Sequence, residues 1–346
     1  MLIVPQKMET FSRNAESNIR FTLPVKDIQM PDLTFGVKTG QGGYSYEDLL
    51  KVWTAAEELG YESAWLYDHF YALGDKNQPC LEAWTTLAAL AAMTKRLKIG
   101  TMVTCVNYRH PSLLAKMAAT VDLLSHGRLI LGIGAGWYEE EYRSYGYDFP
   151  DQATRMKQLK EALIIIQKLW TEDNATFEGN FYTIRNAVSF PKPMQKPRPK
   201  ILVGIASGRK TLPFLAVRYA DGLNATSNSL DEVGAVIQSA LGYCEKLGKK
   251  KNELIISWQG FLLIGENESE VEAYVENGAK RRGKSLSEFR KSILDRGVIL
   301  GPPDVCVNQL RKFKDLGVKD FFLGFTGDTE IRPLETFRDR VIPQLR

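Results

Sequence analysis

The sequence is short of the residues that most often announce chemistry. Three histidines, His69, His110 and His126, are spread over 346 residues. They are too few and too scattered for a zinc constellation, and no HExxH occurs. Four cysteines (Cys80, Cys105, Cys244 and Cys306) stand far apart and form no CxxC, so free thiols in a reducing cytoplasm are expected. No apolar run reaches the length of a spanning helix. The N-terminal MLIVPQKMETFSRN lacks an h-region long enough for a signal peptide. Net charge is only +4, and the basic runs Lys249–Lys251 and Lys280–Arg282 are short; they read as solvated helix ends and not as a nucleic-acid patch. No GxSxG marks a nucleophile elbow. These gaps leave a globular chain whose expected partner is a small molecule, with no nucleic acid and no membrane.

What is present is a rhythm. From Leu33 onward, apolar or β-branched runs alternate with stretches of helical period. Eight runs read as strands: Leu33–Lys38, Ser63–Tyr67, Leu97–Thr104, Arg128–Ile133, Lys200–Ile205, Gly222–Ala225, Leu254–Ile264 and Asp320–Phe325. The clearest helix is Ser45–Leu59, with Ser45 and Asp48 forming a capping box and Gly60 ending it. Eight strands, each followed by a helix, argue for a closed parallel (β/α)8 TIM barrel. Two stretches read as insertions at its βα loops: Ala175–Pro199, with the hairpin-like TFEGNFYTI, and the mostly helical Gly265–Val318. Residues 1–32 read as an N-terminal extension with a short strand at Ile19–Val25, and residues 33–346 as one domain.

Barrel enzymes place their chemistry at the C-terminal ends of the strands. The run SAWLYDHF is a core strand that ends in Asp68 and His69, which puts both at the mouth. The alternative is that Asp68 caps the next segment and His69 packs among aromatics. After the third strand, Thr101, Thr104 and Cys105 could line the mouth, while Arg109 and His110 read as local helix-start and surface contacts before Pro111. After the fourth, Gly132, Gly134 and Gly136 let backbone approach a flat ligand or a phosphate. They are not a dinucleotide fingerprint, since Trp137 stands where the last glycine would be. Glu139, Glu140 and Glu141 read mostly as a solvated helix turn, with room for one of them to face the mouth. After the fifth strand, Ala206, Ser207, Gly208 and Arg209 open a helix and suit an anionic phosphate; a plain loop with a capping serine would read the same. A barrel with an anion site and few reactive side chains suits redox chemistry carried by a cofactor.

Three blocks coincide in order and spacing: YSYEDLLKVWTAAEELGYESAWLYDHF, LKIGTMVTCVNYRHPSLLAKMAATVDLLSHGRLILGIGAGWYEEEYRSYGYDFP and ILVGIASGRKTLPFLAVRYADGLNA. Together they resemble the bacterial-luciferase-like flavin and deazaflavin oxidoreductases over roughly residues 33 to 325. The DHF end, the EAW segment Glu82–Trp84 and the GAGW block resemble most the branch that uses coenzyme F420, a 5-deazaflavin. Methylenetetrahydromethanopterin reductases are a neighbouring likeness.

The resemblance implies roles by position. Asp68 and His69 match its acid and histidine after the second strand. A non-prolyl cis peptide near Met102–Val103 would lie under the flavin ring, Gly134, Ala135 and Gly136 match its glycine block, and Ala206, Ser207 and Gly208 match its phosphate loop. It implies a homodimer as well. One departure is Trp137, where some deazaflavin members carry a catalytic glutamate. The expected function is hydride transfer between F420 and an organic substrate, with His69 handling the proton and Asp68 orienting it or touching cofactor; Glu139 and Glu140 are the next candidates. The alternatives are an FMN-dependent monooxygenase and a non-catalytic flavin-binding barrel.

Overall fold

The computed structural model describes residues 33–325 and 331–346; the expected extension with its strand at Ile19–Val25 lies outside them. Among these described residues eleven strands are formed: β1 (Thr34–Lys38), β2 (Ser63–Leu66), β3 (Lys98–Cys105), β4 (Leu129–Gly134), β5 (Ala175–Glu178), β6 (Thr183–Ala187), β7 (Lys200–Ile205), β8 (Gly222–Ala225), β9 (Ile255–Ile264), β10 (Ile299–Gly301) and β11 (Asp320–Phe325). The order β9–β11–β1–β2–β3–β4–β7–β8 closes through a further β8–β9 pairing, and every pair in the ring is parallel. This is the eight-stranded barrel the alternation predicts.

Strand alternation builds two layers of core. Phe35, Val37, Ala64 and Leu66 face the outer helices and join the large apolar cluster there. Trp65, Met102, Leu202 and Phe322 form a separate cluster that plugs the lumen, with Trp65 and Phe322 ring centroids 4.3 Å apart. The helix Tyr46–Glu58 carries the predicted capping box between Ser45 and Asp48 and buries Leu49, Val52, Trp53 and Ala56.

The two insertions sit at opposite ends of the barrel. The first forms the β5–β6 hairpin, antiparallel as expected, but it follows the helix Gln152–Thr171 and precedes β7. It is therefore an αβ connection. Glu161 of that helix grips the hairpin turn, accepting the N–H groups of Asn180, Phe181 and Tyr182 at 2.8–3.1 Å. Gln195 reaches the carbonyl of Leu129, at the entry of β4. The expectation of an insertion at a βα loop is thus corrected for this stretch, and none of its residues lines the cavity at the mouth.

The second insertion does lie over the mouth. β9 is long enough to pair in turn with β8, β11 and β10. Between β9 and β10 run the helices Glu268–Arg281 and Leu286–Asp295. They pack through Val271, Val275, Phe289 and Ile293 onto Leu263 and Val298 in a small core of their own. The short strand β10 and the helix Leu286–Asp295 carry too few residues for their period to stand out in the sequence.

Candidate active site

The C-terminal strand ends open into a cavity of about 1070 Å³. Asp68 and His69 both line it, just past β2, as their position predicts. They do not bond each other in any recorded contact. Asp68 is 3% exposed and accepts from Arg109 twice, at 2.6 Å from Nη1 and 2.9 Å from Nη2. It also accepts the Cys105 N–H at 2.8 Å. Arg109 is accordingly buried in a bidentate pair and is not the surface contact its place before a helix suggests. A two-pronged guanidinium fixes the carboxylate in one plane, tying the end of β2 to the end of β3.

His69 turns toward Glu141. Its Nδ1 lies 2.8 Å from Glu141 Oε2, and Glu141 has no exposed surface. Oε1 accepts the N–H groups of Phe70 and Tyr71 at 2.5 and 2.8 Å, and Oε2 also accepts the Tyr108 hydroxyl at 2.5 Å. Burial alone would push this carboxyl up. Hydrogen bonds from His69 and Tyr108, the His69 charge and the Tyr71 N–H outweigh it and hold the carboxyl below its usual value. An ionised acceptor keeps a proton on Nδ1 and leaves Nε2 as the imidazole's second proton site.

A carboxyl lowered by folding stabilises the protein above its unfolded value and loses that contribution as pH falls through the folded one. Glu141→Gln should therefore lower stability at neutral pH and weaken its fall in acid. Urea melts between about pH 7 and pH 3 will check this; an unchanged acid limb contradicts it.

Glu139 and Glu140, the candidates named with His69, point outward. Glu139 accepts from Arg143 at 2.8 Å and Glu140 from Lys76 at 2.8 Å, and neither lines the cavity. The helix Glu139–Ser144 buries the face carrying Glu141 and Tyr142, so the third acid of the run meets His69.

The floor is a shelf. The Met102–Val103 peptide is cis, and Val103 lies between Gly134 and Gly204. A Cβ added at either glycine would come within 2.8 Å of a Val103 methyl group, so side chains there would displace the shelf. Thr101 and Thr104 do not line the cavity; they are fully buried behind it with their hydroxyls 2.5 Å apart. Cys105 reaches the cavity wall, and its Sγ lies 2.8 Å from the Tyr142 hydroxyl. Burial, then the Asp68 charge, push its thiol up to about 12, which leaves it no thiolate character at neutral pH. Gly136 has a φ of +76°, and an added Cβ would overlap the Tyr142 hydroxyl.

On the β7 side, Ala206 and Ser207 line the cavity, whereas Gly208 and Arg209 do not. The helix Thr211–Tyr219 that follows has no side-chain cap, so its first N–H groups remain available to an anion. Ser207→Asp is expected to weaken binding of a phosphate-bearing cofactor by roughly tenfold or more, because the carboxylate repels the phosphate and itself takes up the positive end of the helix dipole. Arg209→Glu, outside the lining, should do less. Equal affinities in wild type and Ser207→Asp by fluorescence titration would move the phosphate site elsewhere.

At the insertion end, Arg281, Arg282 and Arg296 line the cavity. Arg282 sits 5.4 Å from the Phe289 ring, and burial followed by its arginine neighbours lowers its pKa. Beside His69, Trp137 is 64% exposed and stacks on Tyr138 at 5.0 Å. Among the described residues no group of three or more acidic, histidine or cysteine side chains could hold a metal, and no helix is long and apolar enough to cross a membrane.

The chain is 29% identical over 340 residues to an F420-dependent glucose-6-phosphate dehydrogenase of Amycolatopsis mediterranei, covering 91% of this chain and 99% of that protein. It is 28% identical to one of Intrasporangium calvum, with the same coverage. An F420-dependent secondary alcohol dehydrogenase in complex with an F420-acetone adduct superimposes with a TM-score of 0.77 at 21% identity, over 91% of this chain and 99% of that one. The oxygenating constituent of 3,6-diketocamphane monooxygenase from Pseudomonas putida, in complex with FMN, does so at 0.71 and 18%, over 91% and 99%; these two structures share the fold. The sequence pattern of the luciferase-like monooxygenases matches residues 33–320, and the chain belongs to that family.

Proposed function

We propose that this chain is an F420-dependent dehydrogenase that interconverts an alcohol and a carbonyl compound. The observation that carries the reading is His69, backed by the buried Glu141, lining the same cavity as the Val103 shelf. The names and near-complete coverage of the relatives support the cofactor. The residues fit a flat, phosphate-bearing group: two glycines keep the shelf low, and Ser207 lies at an uncapped helix start.

When bound, a 5-deazaflavin supplies a ring carbon that exchanges hydride with the substrate carbon. The chain supplies the rest. His69 Nε2 takes the hydroxyl proton of the alcohol as hydride leaves, or returns it in the reverse direction. Glu141 orients the ring and stabilises the imidazolium that forms. Asp68 and Arg109 hold the strand end that carries His69. Trp137 presents an apolar face beside the imidazole, so it takes no part in proton transfer. The arginines at the insertion end favour an alcohol carrying a negative charge, as a phosphate ester does.

Anaerobic mixing of the protein with F420 and a panel of alcohols, glucose 6-phosphate included, tests the reading. Loss of deazaflavin absorbance with one of them is expected. Oxygen consumption with reduced FMN, and no change in F420 with any alcohol, would replace it by the monooxygenase reading.

A further inference from the structure

Lys38 has no part in the proton path above. On β1, Phe35 and Val37 face the helices, so Gly36 and Lys38 face the lumen, and Lys38 lines the cavity at the mouth end. Among the described residues its recorded neighbour is the Phe261 ring, 5.2 Å from Nζ, and no carboxylate pairs with it. The intervening strand β11 brings Gly324 into register with Phe261. A Cβ at Gly324 would press on that ring at 2.5 Å; glycine opens the gap across which Lys38 and Phe261 meet. Two residues earlier on β9, Gln259 also lines the cavity, and its Oε1 is buried with no hydrogen-bond partner.

An ammonium without a counter-ion and an amide oxygen without a donor are both costly inside a protein. Burial pushes the Lys38 ammonium down to about 8. Both groups sit on the wall of β1, β11 and β9. In the ring, β1 stands four places from β7, whose following loop suits the cofactor phosphate.

We propose that Lys38 and Gln259 form a substrate subsite that takes an anionic oxygen with a neighbouring hydroxyl, as a hydroxy acid or a phosphorylated polyol presents. The anion accepts from Lys38 Nζ, and the hydroxyl donates to Gln259 Oε1. The assignment to substrate rests on the proposed function, which leaves the opposite wall to F420.

Other charged and titratable groups share this cavity. Tyr67, Asp68 and His69 lie beyond β2, and Tyr44 and Asp48 lie at the start of the helix Tyr46–Glu58. Tyr274, Arg281, Arg282 and Arg296 come from the insertion. The test therefore reads Lys38 itself.

Competitive acylation of the whole protein, followed by mass spectrometry of the Lys38 peptide, gives the pH at which this amine becomes reactive. It is measured alone, with inorganic phosphate, with F420, and with both. Lys38 should titrate near 8 in the free protein. Phosphate should raise that value by about one pH unit or more, the effect of an opposite charge a few ångströms away. The rise should persist with F420 bound and shrink in Gln259→Leu. No phosphate effect, or an undiminished one in Gln259→Leu, overturns the subsite. A full rise with F420 alone, with no further effect of phosphate, assigns it to the cofactor and overturns the substrate assignment. F420 fluorescence in the same samples shows separately whether the cofactor binds, so failure of the proposed function is distinguished from failure of the subsite.

Discussion

His69→Ala is expected to slow hydride transfer by about 100- to 10,000-fold while leaving F420 affinity within about tenfold, the range that a positioned acid–base group contributes. The size of the effect follows from the local construction. Only His69 of the three histidines lines the cavity, and its Nδ1 is committed to a buried carboxylate. Nε2 is then its remaining site for a mobile proton. The proposed phosphate and ring contacts lie on the β7 and β3 sides and do not involve this imidazole, so binding should survive its loss. Single-turnover rates and fluorescence titration of the same variant separate the two effects. Wild-type turnover would make His69 structural. Loss of binding with an unchanged rate at saturation would make it a cofactor contact.

The second large effect is on stability. Asp68→Ala should destabilise the protein by up to about 3–5 kcal/mol, because it strips a buried guanidinium of its bidentate partner and leaves only the longer contact to Glu82 at 3.4 Å. Asp68 also accepts the Cys105 N–H, so a buried backbone donor is orphaned too. Replacing both members, Asp68→Leu with Arg109→Met, should cost much less than the single change, since no uncompensated charge remains. Urea unfolding of the three proteins measures this. A single variant within about 1 kcal/mol of wild type would mean that the pair behaves like an exposed one.

The barrel was legible because it is written in long periodic segments. All eight predicted strands form within a residue or two of their expected limits, since a strand buried on both sides must be apolar along its whole length. The end of the insertion was less legible. β10 has three residues, and the β5–β6 hairpin looks like any other insertion in the sequence, because its place at the N-terminal end of the barrel follows only from its coming after a helix and before a barrel strand.

At the site, position on the barrel pointed to Asp68 and His69, but partner choice was not readable. Asp68 pairs with Arg109, 41 residues on, and His69 with Glu141, 72 residues on. Three consecutive glutamates carry no sign of which one is buried. Only the six-residue helix Glu139–Ser144 decides it, and six residues show too little period. Lys38 was hidden for a different reason. A lysine ending a strand looks like a solvated edge, whereas this one lines the cavity beside the Phe261 ring.

Preference for a deazaflavin over FMN is the property on which the proposed chemistry depends. The most direct measurement is equilibrium fluorescence titration of the purified protein with F420 and, separately, with FMN. F420 should bind more tightly than FMN, with F420 binding weakened in Ser207→Asp. Micromolar or tighter FMN binding, with no measurable binding of F420, would contradict it.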